Sequence, residues 1–142
     1  MGEFTFKDKH GDYHLSYSDR VVTAKLNGAL GSILTRNFCR DMRILINHFN
    51  LPAWGYFGDL SHSEAETPQA QKMMIELHGH MMNRGCVVDA YVVNNPLALH
   101  QVNSSRRAAG ITTDLSKQIF QDKASAIEFI HDTLNTLTNS TI

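Results

Sequence analysis

Asp59, Ser61, His62 and Ser63 stand almost side by side, and a carboxylate, hydroxyls and an imidazole are the groups from which a nucleophile and its base are made. A serine hydrolase, however, presents its nucleophile on a sharp strand-to-helix elbow between glycines, and neither Ser61 nor Ser63 has glycine beside it. Asp59 closes an apolar run, where a phosphoryl-accepting carboxylate would stand. Yet position 61 holds Ser where a second acid would be wanted, and no earlier strand ends in paired acids to hold magnesium. Asp59 therefore reads as a loop-bonding residue and His62 as a solvated imidazole.

The pair His78 and His80 invites a metal reading, but residues two apart on a helix point to different faces, whereas zinc needs converging ligands. Met73, Met74, Met81 and Met82 on the same helix read as adaptable core, or as a partner patch where exposed. No phosphate loop or dinucleotide fingerprint occurs, so no cofactor and no metal is expected. Sound folding signals without a convergent catalytic set predict a binding protein and no enzyme.

The elements that position these groups follow from periodicity. Phe4–Phe6, Tyr13–Tyr17 and Val21–Leu26 alternate as strands, with turns at Lys9–Asp12 and Ser18-Asp19, and predict an antiparallel meander ending at Asn27-Gly28-Ala29. From Ser32, read as an N-cap, Leu34, Phe38, Met42, Leu45 and Phe49 recur at helical spacing, with Arg36, Arg40 and Arg43 between them. Ala53–Leu60 reads as a buried strand and Ser61–Thr67 as a polar loop. Thr67-Pro68 then opens a second helix, Thr as cap and Pro in the first turn, which runs to Arg84 before Gly85. Cys86–Val93 is a strand, and its Asp89 must be paired or placed near solvent. Asn94-Asn95-Pro96 turns into a helix over 97–109, in which Arg106-Arg107 reads as a solvated face. A short strand over 117–120 and a last helix capped by Asp122, carrying Ile127, Ile130, Leu134 and Leu137, complete the chain, with fraying expected from Thr138 to Ile142.

This order predicts an α/β fold: one domain over 1–142, with a mixed sheet in which the N-terminal meander is followed by βα units. The 142 residues, 42% hydrophobic and 19% charged, suffice for a buried core. The net charge of −1 offers no field to gather a polyanion, so nucleic acid is not an expected partner. Cys39 and Cys86 lie far apart in apolar surroundings and read as buried thiols. No signal-like or membrane-spanning apolar run is present, and a cytoplasmic protein is expected.

A strand ending in Asn27-Gly28-Ala29 before a long helix, a buried strand ending in Asp59-Leu60-Ser61, and a last helix opening Asp122-Lys123-Ala124-Ser125-Ala126-Ile127 together resemble the STAS fold. They are most similar to its SpoIIAA-like branch. The resemblance spans nearly the whole chain in element order. It implies a regulatory module that binds a protein partner. In anti-sigma-factor antagonists of this family, the Asp-Leu-Ser strand end precedes an Asp-Ser-Ser-Gly-type segment whose serine a partner kinase phosphorylates. Here Glu66-Thr67-Pro68 stands in that place, which makes Thr67 the nearest hydroxyl to the regulated position, although its own spacing reads as a helix cap.

In α/β sheets, sites gather outside the C-terminal ends of the parallel strands, so Asp59, Ser61, Ser63, Thr67, Asn94 and Asn95 are the candidate binding residues. Thr67 is the candidate for phosphorylation. The alternative is a small-molecule, nucleotide or lipid binder with a pocket between helices and sheet, lined by the Met-rich helix with Phe49, Trp54 and Phe57. A homodimer is compatible with either reading.

Overall fold

A computed structural model describes residues 2–49 and 51–140. Strands β1 (Glu3–Lys7), β2 (Gly11–Ser18) and β3 (Val21–Leu30) form the expected antiparallel meander. The β2–β3 turn places both Asp19 and Arg20 at positive φ, as a tight two-residue hairpin requires. Strand β3 runs on through Asn27-Gly28-Ala29, which sequence alone reads as its end. Gly28 makes this continuation workable: its φ is +79°, and a Cβ there would strike the His10 carbonyl.

Helix α1 (Ser32–His48) follows, capped by Gly31 and not by Ser32, with no side-chain hydrogen bond at the cap. Strand β4 (Trp54–Leu60) then joins β3 in parallel. The segment expected as a loop contains a fifth strand, β5 (Ser63–Glu66), which pairs in parallel with the far end of β3 through Gly28↔Ser63 and Leu30↔Glu66. Helix α2 (Pro68–Asn83), strand β6 (Cys86–Val93) and helix α3 (Pro96–Ala108) come next, β6 lying parallel to β4. The strand expected over 117–120 is a 3₁₀ turn, Leu115–Gln118, followed by a single bridge between Ile119 and Tyr91. Asp122 accepts from the Ser125 N–H (2.7 Å) at the start of α4 (Lys123–Ser140). Of the tail expected to fray, residues up to Ser140 belong to this helix, and Thr141 and Ile142 lie outside the described residues.

The sheet order β1-β2-β3-β4-β6, with β5 also on β3, separates two cores. One face gathers Leu15, Val22, Leu26, Leu34, Phe38, Met42, Trp54 and Leu77 under α1 and α2. The other holds Val21, Phe57, Val88, Ala90 and Val92 under Ala126, Ile130 and Leu134 of α4. Period-two alternation divides β6 between them: Val88, Ala90 and Val92 face α4, while Asp89 and Tyr91 face α2 and α3. Gly55 lets α4 press against β4, since a Cβ there would overlap the Ile130 side chain. No helix among the described residues is long and apolar enough to cross a membrane.

Candidate functional site

The C-terminal ends of β4, β5 and β6 lie along one edge, and two helices start there. At the end of β4, Asp59 Oδ1 accepts from both the N–H (3.1 Å) and the hydroxyl (2.7 Å) of Ser61, so the carboxylate is committed to holding its own turn. Asn94, exposed after β6, donates from Nδ2 to the Ser61 carbonyl (3.3 Å) and stitches the two strand ends together. Its neighbour Asn95 caps α3, its side-chain oxygen accepting from the N–H of Leu97 (2.9 Å) and Ala98 (3.4 Å). Thr67, exposed, caps α2 by accepting from the Ala70 N–H (3.1 Å), with Pro68 in the first turn.

Five of the six candidate residues thus stand at the rim, engaged in turns and caps. Ser63 is placed differently: it is buried, and its hydroxyl donates to the Leu26 carbonyl, fastening β5 to β3. Sequence reasoning missed Leu97, a large apolar side chain left 51% exposed beside Asn95. It also missed Gln101. This α3 side chain accepts from the Glu66 N–H (2.9 Å) and donates to the Glu66 carbonyl (3.0 Å), completing a strand-like pairing that latches α3 onto β5. No local signal marks it, because a Gln on a helix is ordinary until its distant partner is known.

Behind the rim lies a buried ionic cluster. Asp89 is buried and receives Arg106 Nε (2.7 Å) and Nη2 (3.0 Å), the Tyr91 hydroxyl (2.8 Å) and Gln118 Nε2 (2.6 Å). Arg106 spends its remaining donors on the Thr113 carbonyl (2.9 Å), the Thr113 hydroxyl (2.7 Å) and Gln118 Oε1 (3.1 Å). The expected partner for Asp89 is therefore present, but it is the arginine assigned from sequence to a solvated face. Arg106 is 1% exposed.

Between α2, α3 and the sheet is a small cavity of about 30 Å³, reached by Glu66, His78 and Ser105 and walled by Leu26, Met74 and Val102. Met74 is the one residue of the pocket expected from sequence that reaches it. Trp54 is fully buried in the core, Phe57 packs on the opposite face under α4, and Phe49 stacks on Tyr17. Burial pushes the Glu66 carboxyl up to about 7 and the His78 imidazole down to about 4, so His78 is neutral at physiological pH. No three His, Cys, Asp or Glu among the described residues are placed to hold a metal ion.

Comparison with known proteins bears on the fold. No family model and no curated sequence matches the chain. Solved structures do. An uncharacterized DUF3478-family protein with a SpoIIAA-like fold from Shewanella loihica superposes with a TM-score of 0.64 at 14% identity, over 88% of this chain and 98% of that one. The unphosphorylated anti-sigma factor antagonist SpoIIAA gives 0.62 at 9% identity, over 84% and 96%. An anti-sigma factor antagonist from Mycobacterium paratuberculosis gives 0.57 at 11%, over 82% and 91%. The murine anion transporter Slc26a9 matches with 0.58 at 11% identity, over 82% of this chain but only 19% of the transporter. The chain has the STAS-type, SpoIIAA-like fold that its element order implies.

Proposed function

We propose that the protein is a regulatory module that binds a protein partner through the rim formed by Asp59, Ser61, Thr67, Asn94 and Leu97, without catalysis. The observation that supports this is the convergence of two helix starts and an exposed leucine on strand ends that Asn94 ties together, in a fold shared with anti-sigma factor antagonists. The Asp59 carboxylate and the Ser61 and Thr67 hydroxyls of the rim are each engaged in a turn or cap.

Thr67 is the natural point of control on this surface. Its hydroxyl is exposed, and a phosphate there would sit at the N-terminus of α2, which favours negative charge while altering the face a partner meets. A photo-crosslinking residue placed at Leu97 or Asn94, and as control at the exposed Ser18 at the opposite end of the sheet, tests the reading in cells. A discrete adduct is expected from the first two positions, absent from the control and diminished by Thr67→Glu. Indistinguishable adduct patterns from all three positions would overturn it.

A further inference from the structure

We propose that the cavity beneath α2 and α3 is a binding site for the neutral, hydroxyl-bearing end of a small, mostly apolar molecule, anchored by His78 Nδ1 and Ser105 Oγ. Both atoms are buried and without a hydrogen-bond partner, on side chains only 6% and 1% exposed, and both residues line the same cavity. Buried polar groups in proteins are almost always satisfied, so two orphans around one void point to an occupant that completes them. A surface explanation is closed to them, because neither atom reaches solvent.

The chemistry of the lining selects the occupant. His78 is held neutral by burial, and the charge-bearing groups nearest it, Asp89 and Arg106, are already saturated by each other and by Tyr91, Thr113 and Gln118. The cavity therefore offers no free cation to receive an anion. Of the two carboxyl side chains at the lining, Glu64 is exposed to solvent and Glu66 is kept protonated up to about pH 7, so no buried fixed negative charge faces the void in mildly acidic solution. The two buried groups without a partner, one imidazole nitrogen and one hydroxyl, can together accept from and donate to a single hydroxyl group. Much of the remaining wall is apolar, with Leu26, Leu30, Leu60, Met74 and Val102 beside Tyr56 and Tyr91, and is suited to an alkyl portion.

Size sets the same limit. The cavity measures about 30 Å³, and a water needs roughly 10–15 Å³ of such space, so there is room for more than one water or for a molecule of a few heavy atoms. A longer tail would have to pass between α3 and β5, where the latch of Gln101 on Glu66 is the closure.

Ethanol and 1-propanol, titrated into ¹⁵N-labelled full-length protein at pH 6, test the site directly. The expected result is a saturable shift of the His78 ring nitrogen together with the amides of Val102 and Ser105. Ser105→Ala should weaken the apparent affinity about three- to tenfold, as loss of one hydrogen bond implies. Ser116→Ala, on an exposed turn, should leave it unchanged. If Ser105→Ala does not fold, His78→Phe removes the ring nitrogen while keeping the ring, with the Val102 and Ser105 amides as readout and the same weakening expected. Shifts that stay linear in alcohol, or equal affinity in wild type and the anchoring variant, would overturn the proposal and leave water as the occupant.

Discussion

At the scale of single residues, the Asp89–Arg106 pair carries the clearest energetic consequence. A charge taken out of water costs several kcal/mol unless it is met, and Asp89 is met on both carboxylate oxygens. Arg106→Met strips the cation while leaving the carboxylate buried, and should cost about 3–5 kcal/mol in urea unfolding. Adding Asp89→Asn should recover part of that loss, because the stranded charge is gone. Additive losses in the double variant would mean that the two residues act independently. The pair was only half legible in sequence. A lone Asp inside Cys86–Val93 announces that it needs a partner, but nothing local distinguishes Arg106 from Arg107, since the choice is made by which face of α3 meets β6.

Among the elements, the helix starts and the β5 latch are the parts that a substitution can isolate. Thr67→Ala removes the cap of α2 and should cost about 1 kcal/mol, with Pro68 still favouring the first turn. Gln101→Ala leaves the Glu66 N–H and carbonyl without their partners and should cost about 1–3 kcal/mol. Hydrogen exchange should quicken in β5 and α3 while α4, on the other face, stays protected; uniform quickening would show that the latch is global. Elements with strong local chemistry were readable: Thr67-Pro68, Asn95-Pro96 and Asp122 all cap where their types predict. Those decided by neighbours were not. The segment Ser-Glu-Ala-Glu has no strand-like alternation of apolar residues, and β3 alone makes β5 a strand. Leu115–Gln118 is bent into a 3₁₀ turn that brings Gln118 to Asp89, a demand invisible in its own residues.

For the molecule as a whole, two groups facing one cavity pull stability in opposite directions with pH. Between its ordinary 4.5 and about 7, Glu66 keeps a proton in the folded chain that the unfolded chain releases, so its effect is to lower stability as pH rises. Between 6.5 and about 4, His78 refuses a proton that the unfolded chain accepts, so its effect is to lower stability as pH falls. From about pH 4.5 to 6.5 these slopes oppose each other. Glu66→Gln should therefore gain on wild type as pH rises from 5 to 8, by on the order of 1 kcal/mol once partial exposure of the carboxyl is allowed for. His78→Phe should gain on wild type as pH falls from 7 to 4.5. Thermal melts across this range check both, and parallel curves for variant and wild type would show that the cavity does not hold these groups out of water. The rim of the sheet bears on the fate of many copies together. Strand β6 is its most apolar edge, and its outward carbonyls at Asp89 and Tyr91 are already taken by the Gln118 side chain and the Phe120 N–H. An incoming strand there finds two of the carbonyls it would use already occupied, and at the opposite edge it meets the exposed Glu3, Thr5 and Lys7. Both edges thus discourage crowded copies of the chain from templating an endless cross-β filament.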